Sequence, residues 1–400
     1  MRSHRFLAHV KLSMNRVTCR NILVSSSIER RILCTPSWLP AIRLGPRVNT
    51  TCFPSQTNPS YLRKPSSFRT KAEPAPSSTA MEPAADEVMV DAPMQFRIYK
   101  SGRIERLSQS LVPPGLDEAT GVTSKDVVID AGTGLSARIY LPNNKLQSPP
   151  QKLPVVVYVH GGAFIIGSAG DPTYHCYVNS LAAAAGALVV SVDYRLAPEH
   201  PLPAAYDDSW AALRWAASAQ DEWIAQHGDL ARLFLSGDSA GANIVHDMLV
   251  RAASGSSSDG PRIEGAVLCH PWFGGNQPIE GEPEGGPVAS AGLWMYACPG
   301  AVGGADDPRF NPLAPGAPAL EKLGCKRMLV CAGKKDGLYA RDRAYFKAVA
   351  ASAWPGTVEW LESDGEEHVF FLGKPECENA RRLMDRVVAF IAGGTELGRL

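Results

Sequence analysis

The chain has 400 residues, is 45% hydrophobic and 20% charged, and balances 40 basic against 40 acidic side chains. That composition and length exclude a wholly disordered, collagen-like or coiled-coil protein, and they allow a core that needs neither disulfide nor metal. The longest apolar candidate, Leu181–Val192, is shorter than the roughly 18–20 residues of a membrane span; it reads as a helix end plus a buried strand.

The zero net charge hides two unlike segments. Residues 1–72 carry 13 Lys and Arg side chains, 10 Ser, 6 Thr and a single acid, Glu29, so the rest of the chain is correspondingly acidic. Basic, Ser-rich and acid-poor is the profile of a transit peptide. Lys11, Arg16 and Arg20 interrupt every stretch where a secretory apolar region would sit. We therefore expect residues 1–80 to be an extension addressing a plastid or mitochondrion. The competing reading is a cytoplasmic protein that begins near Met81. The charges are dispersed among Ser, Thr and Pro, so no nucleic-acid partner is expected. Nine cysteines without a Cys-x-x-Cys pair are expected to be buried free thiols rather than a zinc site.

Residues 81–400 are expected to form one α/β domain. Phe96, Ile98, Tyr99, Ile104 and Leu107 suggest an N-terminal piece that packs onto something larger. Strands are predicted at Asp126–Asp130, Leu135–Leu141 and Val155–His160, the last an unbroken apolar run of the kind covered on both faces. Ala182–Ala185 is helix-like, Leu188–Val192 a strand, and Ala204–Ala217 an apolar stripe at helical spacing. Leu233–Ser236, Gly265–Cys269, Met328–Cys331 and Val358–Leu361 are further strands; Ala240–Arg251, Arg341–Ser352 and Glu378–Ile391 are further helices. Strands alternating with helices imply a mostly parallel sheet with helices on both faces. Residues 274–318 are too long for a plain loop and are read as an insertion that caps a site.

Gly237-Asp238-Ser239-Ala240-Gly241 matches Gly-x-Ser-x-Gly between a strand and a helix. A serine on so tight a turn needs small residues two positions away, and the helix N-terminus favours developing negative charge. Ser239 is the expected nucleophile. His160-Gly161-Gly162-Ala163 ends an earlier strand, and the Gly161, Gly162 and Ala240 amides are the expected oxyanion donors. A serine hydroxyl needs a base. His246 lies seven residues along the same helix, about 10 Å away. His270 ends a strand before Pro271, which suits a core or turn role. His368, in the loop after the last strand, is the expected base. Asp336, after strand Met328–Cys331, is the expected orienting acid; Asp342 is its rival, with a helix-start role as the alternative. Asp193–Glu199 is read as an ion-pair and turn network beneath the oxyanion loop rather than a substrate-carboxylate site.

Together these segments resemble the plant carboxylesterases of the hormone-sensitive-lipase-like α/β-hydrolases. The resemblance runs from about Met81 to Ile391 and rests on Phe96–Arg103, the His160 segment, Val192–Pro201, Gly237–Asn243 and Gly365–Phe370. It implies an α/β-hydrolase fold, a triad at Ser239, Asp336 and His368, and an N-terminal cap. Gibberellin receptors of this family lack the histidine that stands here as His368. The 2-hydroxyisoflavanone dehydratases favour a different oxyanion segment from His160-Gly161-Gly162-Ala163. Tuliposide-converting enzymes carry plastid transit peptides, which keeps intramolecular acyl transfer in view. Ala163 and Phe371 are small departures from the family pattern. The expected activity is hydrolysis of small acyl esters without a metal or organic cofactor. A lyase or transacylase using the same site, or a non-catalytic receptor, is the alternative.

Overall fold

The computed structural model describes residues 86–92, 95–107, 110–143, 152–254 and 260–393. The basic extension, Met81 and Cys19, Cys34 and Cys52 lie outside them; of the other cysteines Cys269, Cys298 and Cys331 are buried as expected, Cys325 and Cys377 are half-buried, and Cys176, on the solvent side of its helix, is exposed.

A nine-stranded sheet forms the centre. Its strands, in chain order, are β4 (Leu116–Asp117), β5 (Val122–Asp130), β6 (Leu135–Pro142), β7 (Leu153–Val159), β8 (Leu188–Asp193), β9 (Gly228–Asp238), β10 (Ile263–Cys269), β11 (Cys325–Gly333) and β12 (Thr357–Ser363). Across the sheet the order is β12-β11-β10-β9-β7-β8-β6-β5-β4. The strands from β12 to β8 are parallel, and β6, β5 and β4 add antiparallel pairs at one edge. Every residue of β7 is buried, as its unbroken apolar run requires when helices cover both faces.

The helices are α1 (Pro172–Ala185), α2 (Ala204–Ala217), α3 (Glu222–His227), α4 (Ala240–Ser254), α5 (Gly286–Ala297), α6 (Tyr339–Ala351), α7 (Phe370–Gly373) and α8 (Glu378–Ala392). One core lies between the sheet and α2 and α4, and extends under the 274–318 insertion; a second lies between the other face and α1, α7 and α8. The expectation at Ala182–Ala185 captured only the tail of α1. Its start is locally encoded: Asp171 accepts the Thr173 amide at 2.9 Å, Pro172 opens the helix, and Gly186 closes it in the left-handed region. Strand β9 begins five residues before the expected Leu233.

The N-terminal piece is a separate three-stranded sheet: β1 (Val88–Ala92), β2 (Phe96–Tyr99) and β3 (Ile104–Arg106). Ala92, Phe96 and Ile98 bury against Ile165 of the loop after β7 and against Leu293 and Tyr296 of α5. Tyr296 also donates to the Gly102 carbonyl at 3.0 Å. The cap is thus built jointly from the N-terminal segment and the insertion. Leu107, expected to pack there, is exposed.

Helix α4 is pressed onto the ends of β7 and β9. A Cβ on Gly241 would lie 2.0 Å from the Val159 carbonyl oxygen, and one on Gly237 would lie 2.6 Å from the Gly241 backbone. Gly241→Ala should therefore cost about 3 kcal/mol or more, measured by urea unfolding. Gly292→Ala, on α5 with nothing within 4 Å, should instead add about 0.5–1 kcal/mol. Equal effects of the two substitutions would contradict the close approach of α4.

Candidate active site

Four adjacent parallel strands deliver the site at their C-terminal ends. Ser239 follows β9, His270 follows β10, Asp336 follows β11 and His368 follows β12. This is the edge of an open α/β sheet where ligands ordinarily bind. Ser239 holds φ at +52°, a strained value for a serine, on the turn between β9 and α4. Its amide donates to the Cys269 carbonyl at 2.9 Å, and its carbonyl accepts from the Trp272 amide at 3.0 Å. Those bonds tie the turn to the strand beside it.

Ser239 Oγ lies 2.9 Å from His368 Nε2, and His368 Nδ1 lies 2.7 Å from Asp336 Oδ2. The Asp336 carboxylate is fully buried. Its Oδ1 accepts the Leu338 amide at 2.9 Å, and its Oδ2 also accepts His270 Nδ1 at 2.7 Å. Burial pushes this carboxyl up, but the two imidazoles outweigh it and hold Asp336 well below the ordinary carboxylate range. An ionised carboxylate only accepts, so both histidines present Nδ1–H to it. Burial pulls His368 down, yet Asp336 and, more weakly, Asp238 raise it above its ordinary value. For His270 burial wins, and the ring is held low and neutral. One nitrogen of each of His270 and His368 and an oxygen of Asp336 lie within 4.8 Å of one another; the Nδ1 proton of each imidazole is spent on the carboxylate.

The expected residues Ser239, His368 and Asp336 therefore come together, and Asp342 does not join them. It lies fully buried in the first turn of α6, with neither carboxylate oxygen hydrogen-bonded among the described residues. His246 is likewise a core residue, bonded at Nδ1 to the Tyr345 hydroxyl at 2.9 Å and pushed down to about 4 by burial.

One expected oxyanion donor needs correction. The Gly161 amide donates to Asp238 Oδ1 at 3.1 Å, so it is already committed. Asp238 also accepts from Tyr158 at 2.6 Å and Tyr174 at 3.1 Å. Burial raises its carboxyl to about 6 against those donors. A Cβ at Gly161 would sit 2.5 Å from Asp238 Oδ2, so the glycine makes room for this bond. The amides of Gly162, Ala163 and Ala240 donate no hydrogen bond among the described residues. Gly162 is in the left-handed region, and a Cβ there would strike the Ile166 carbonyl at 2.2 Å. Ala163 also has positive φ, at +55°.

Supports for this loop were only partly foreseen. The Asp193–Glu199 segment is the structural network expected: Tyr194 donates to the His160 carbonyl at 2.9 Å, and Arg195 pairs with Asp208. Arg106, missed by sequence reasoning, reaches from β3 to the Ile165 carbonyl at 2.8 Å, the Ala197 carbonyl at 2.9 Å and both oxygens of Glu199. Asn243 joins α4 to the Trp272 carbonyl and, in the insertion, to the Arg309 carbonyl. Asp238 and His270 were also missed. A charged residue beside the serine was a usable signal for Asp238; His270 had none until the strand order set β10 beside β11.

The sheet, the serine turn and the histidine loop define an α/β hydrolase, and comparison with known proteins agrees. Residues 156–372 match a family model described as the alpha/beta hydrolase fold, and the chain belongs to that family. It is 43% identical to 2-hydroxyisoflavanone dehydratase of Glycyrrhiza echinata, over 79% of this chain and 99% of that protein. It is 43% identical to the chloroplastic tuliposide A-converting enzyme 1 of Tulipa gesneriana, over 86% of this chain and 89% of that protein. It is 42% identical to a protein named probable carboxylesterase 2 of Arabidopsis thaliana, over 78% of this chain and 98% of that one. Among solved structures, the hyperthermophilic esterase of Pyrobaculum calidifontis matches with a TM-score of 0.57 at 27% identity, covering 68% of this chain and 85% of that one.

Asp342 gives a stability test. Burial, with Asp336 and Cys331 nearby, raises its carboxyl well above the unfolded value of 3.8. Its favourable contribution is present below that value and is lost as pH rises toward the folded one. Asp342→Asn should therefore be more stable than the parent by about 1 kcal/mol or more near pH 7, with the gap closing toward about pH 4. Thermal melts across that range would show it; a gap independent of pH would mean that Asp342 is ionised in the fold.

Proposed function

We propose that this protein is a serine carboxylesterase acting on small acyl esters. The observation that carries the reading is the continuous link from Ser239 Oγ through His368 to Asp336, at 2.9 and 2.7 Å, across three strand ends. Ser239 Oγ attacks the acyl carbon as its proton passes to His368 Nε2. Asp336 keeps His368 in the Nδ1–H form and stabilises the imidazolium. The amides of Gly162, Ala163 and Ala240 receive the oxyanion. His368 then protonates the departing alcohol. A water, activated by the same imidazole, releases the acid and restores Ser239. The reaction calls on no metal or organic cofactor and on a small-molecule ester alone as partner. Among the described residues no helix is long and apolar enough to cross a membrane.

A second reading keeps the site and changes the outcome. Relatives named for dehydration and for tuliposide conversion match this chain at 43% identity. The same base could serve elimination, and an acyl-enzyme can be intercepted by an internal hydroxyl instead of water. Product analysis separates the cases: free acid and alcohol for hydrolysis, a rearranged ester for transfer, an alkene for elimination. A receptor role is disfavoured by His368, which is present and bonded to Ser239.

An organophosphonate should label Ser239 alone, and His368→Ala should lower kcat on a short-chain aryl ester by about a thousandfold or more. The acid limb of the parent should fall above 6.5, because Asp336 raises His368. Labelling elsewhere, or parental turnover in the His368 variant, would overturn the assignment. Residues 1–80 we read as a plastid transit peptide, supported by their composition and by the chloroplastic and amyloplastic names of the tulip relatives. Fused to a fluorescent protein, residues 1–80 should direct it to plastids; diffuse cytoplasmic signal would refute this.

A further inference from the structure

The acid of the proposed triad carries one partner more than the chemistry asks for. Asp336 Oδ2 takes His270 Nδ1–H and His368 Nδ1–H at the same 2.7 Å, and the two rings meet edge to face, 5.7 Å between centroids. His270 has no exposed side-chain surface. It follows β10 with φ at +49°, its amide donates to the Cys331 carbonyl at 2.7 Å, and Phe370 and Phe371 flank its ring. Its Nε2 is buried with no hydrogen-bond partner among the described residues. The ring is thus fixed by its surroundings in one orientation, and Asp336 is what it is fixed upon.

We propose that His270 is a positioning residue for the acid: a permanent second N–H donor to Asp336 Oδ2 that aims the carboxylate and shares its negative charge with His368. This deepens the esterase reading and rests on it. Two consequences follow from charge alone. A desolvated carboxylate with an additional donor stays ionised and cannot turn away from His368. A carboxylate oxygen that already serves one N–H has less charge density for the other, so it stabilises the His368 imidazolium less than a singly bonded acid would. His270 thereby lets His368 act as a free base at lower pH. The ionisable groups that act on the two rings are Asp336 from the loop after β11 and Asp238 from the end of β9, besides His368 on His270; Asp342 of α6 feels Asp336 and Cys331 of β11, and Cys269 and Glu367 are the chain neighbours of His270 and His368. None of them but Asp336 bonds to either ring's Nδ1.

The test titrates His368 directly, by NMR of the full chain with isotope-labelled histidine, beside the pH profile of kcat/KM. His270→Phe removes the donor and keeps a ring; the His368 midpoint and the acid limb should both rise by about half a unit or more. His270→Asn, whose amide N–H can occupy the Nδ1 position, should return both toward the parental values. The parent alone should show two strongly deshielded imidazole N–H protons, so the proposal stays testable if a variant does not fold. A single such proton, an unchanged or lowered midpoint in His270→Phe, or the same shift in Asn and Phe variants would overturn it. Turnover lost with the midpoint unmoved would mark a merely structural residue. Should the parent hydrolyse no ester, the esterase reading fails, while the NMR midpoints still judge His270.

Discussion

The most demanding element of this molecule is a negative charge kept entirely out of water. Asp336 is ionised and fully buried, a state that costs several kcal/mol unless neighbouring donors replace the lost solvent. Its three donors come from three places: the loop after β12, the end of β10 and its own loop at Leu338. To supply them, the ends of β10, β11 and β12 must be level, which the parallel registers between these strands achieve. The alignment of the sheet edge and the solvation of one carboxylate are therefore a single constraint.

A second carboxylate works differently on the other side of the serine. Asp238 binds two tyrosine hydroxyls and the Gly161 amide. The bond to Gly161 spends a backbone donor to anchor the loop whose next amides stay open. One glycine is thus chosen for what its absent side chain lets in, and Gly162 for the backbone angle it can hold. Two neighbouring residues of one type answer to different physics.

Much of this was legible in the chain, because the decisive signals are local. The unbroken apolar run of β7, the periodicity of α2 and the spacing around Ser239 each express short-range sterics or burial. Ser239, His368 and Asp336 could be named because each directly follows a strand in a fixed chain order. What escaped depends on neighbours far apart in sequence. His270 read as a turn or core residue because its partner lies 66 positions away on an adjacent strand. Gly161 read as an oxyanion donor because nothing local tells that Asp238 has claimed its amide. The start of α1 was missed for another reason: its first turns are aromatic and polar, and only the Asp171-Pro172 pair marks the entry.

Arg106 gives the N-terminal strands a role beyond covering the core. Through it, β3 grips the carbonyls of Ile165 and Ala197 and the carboxylate of Glu199, so the loop bearing the open amides is held from outside the sheet as well as from beneath. The first strand of the cap, β1, begins at Val88. Loss of β3 would take Arg106 with it, and the loop would keep only the anchors that reach it from beneath.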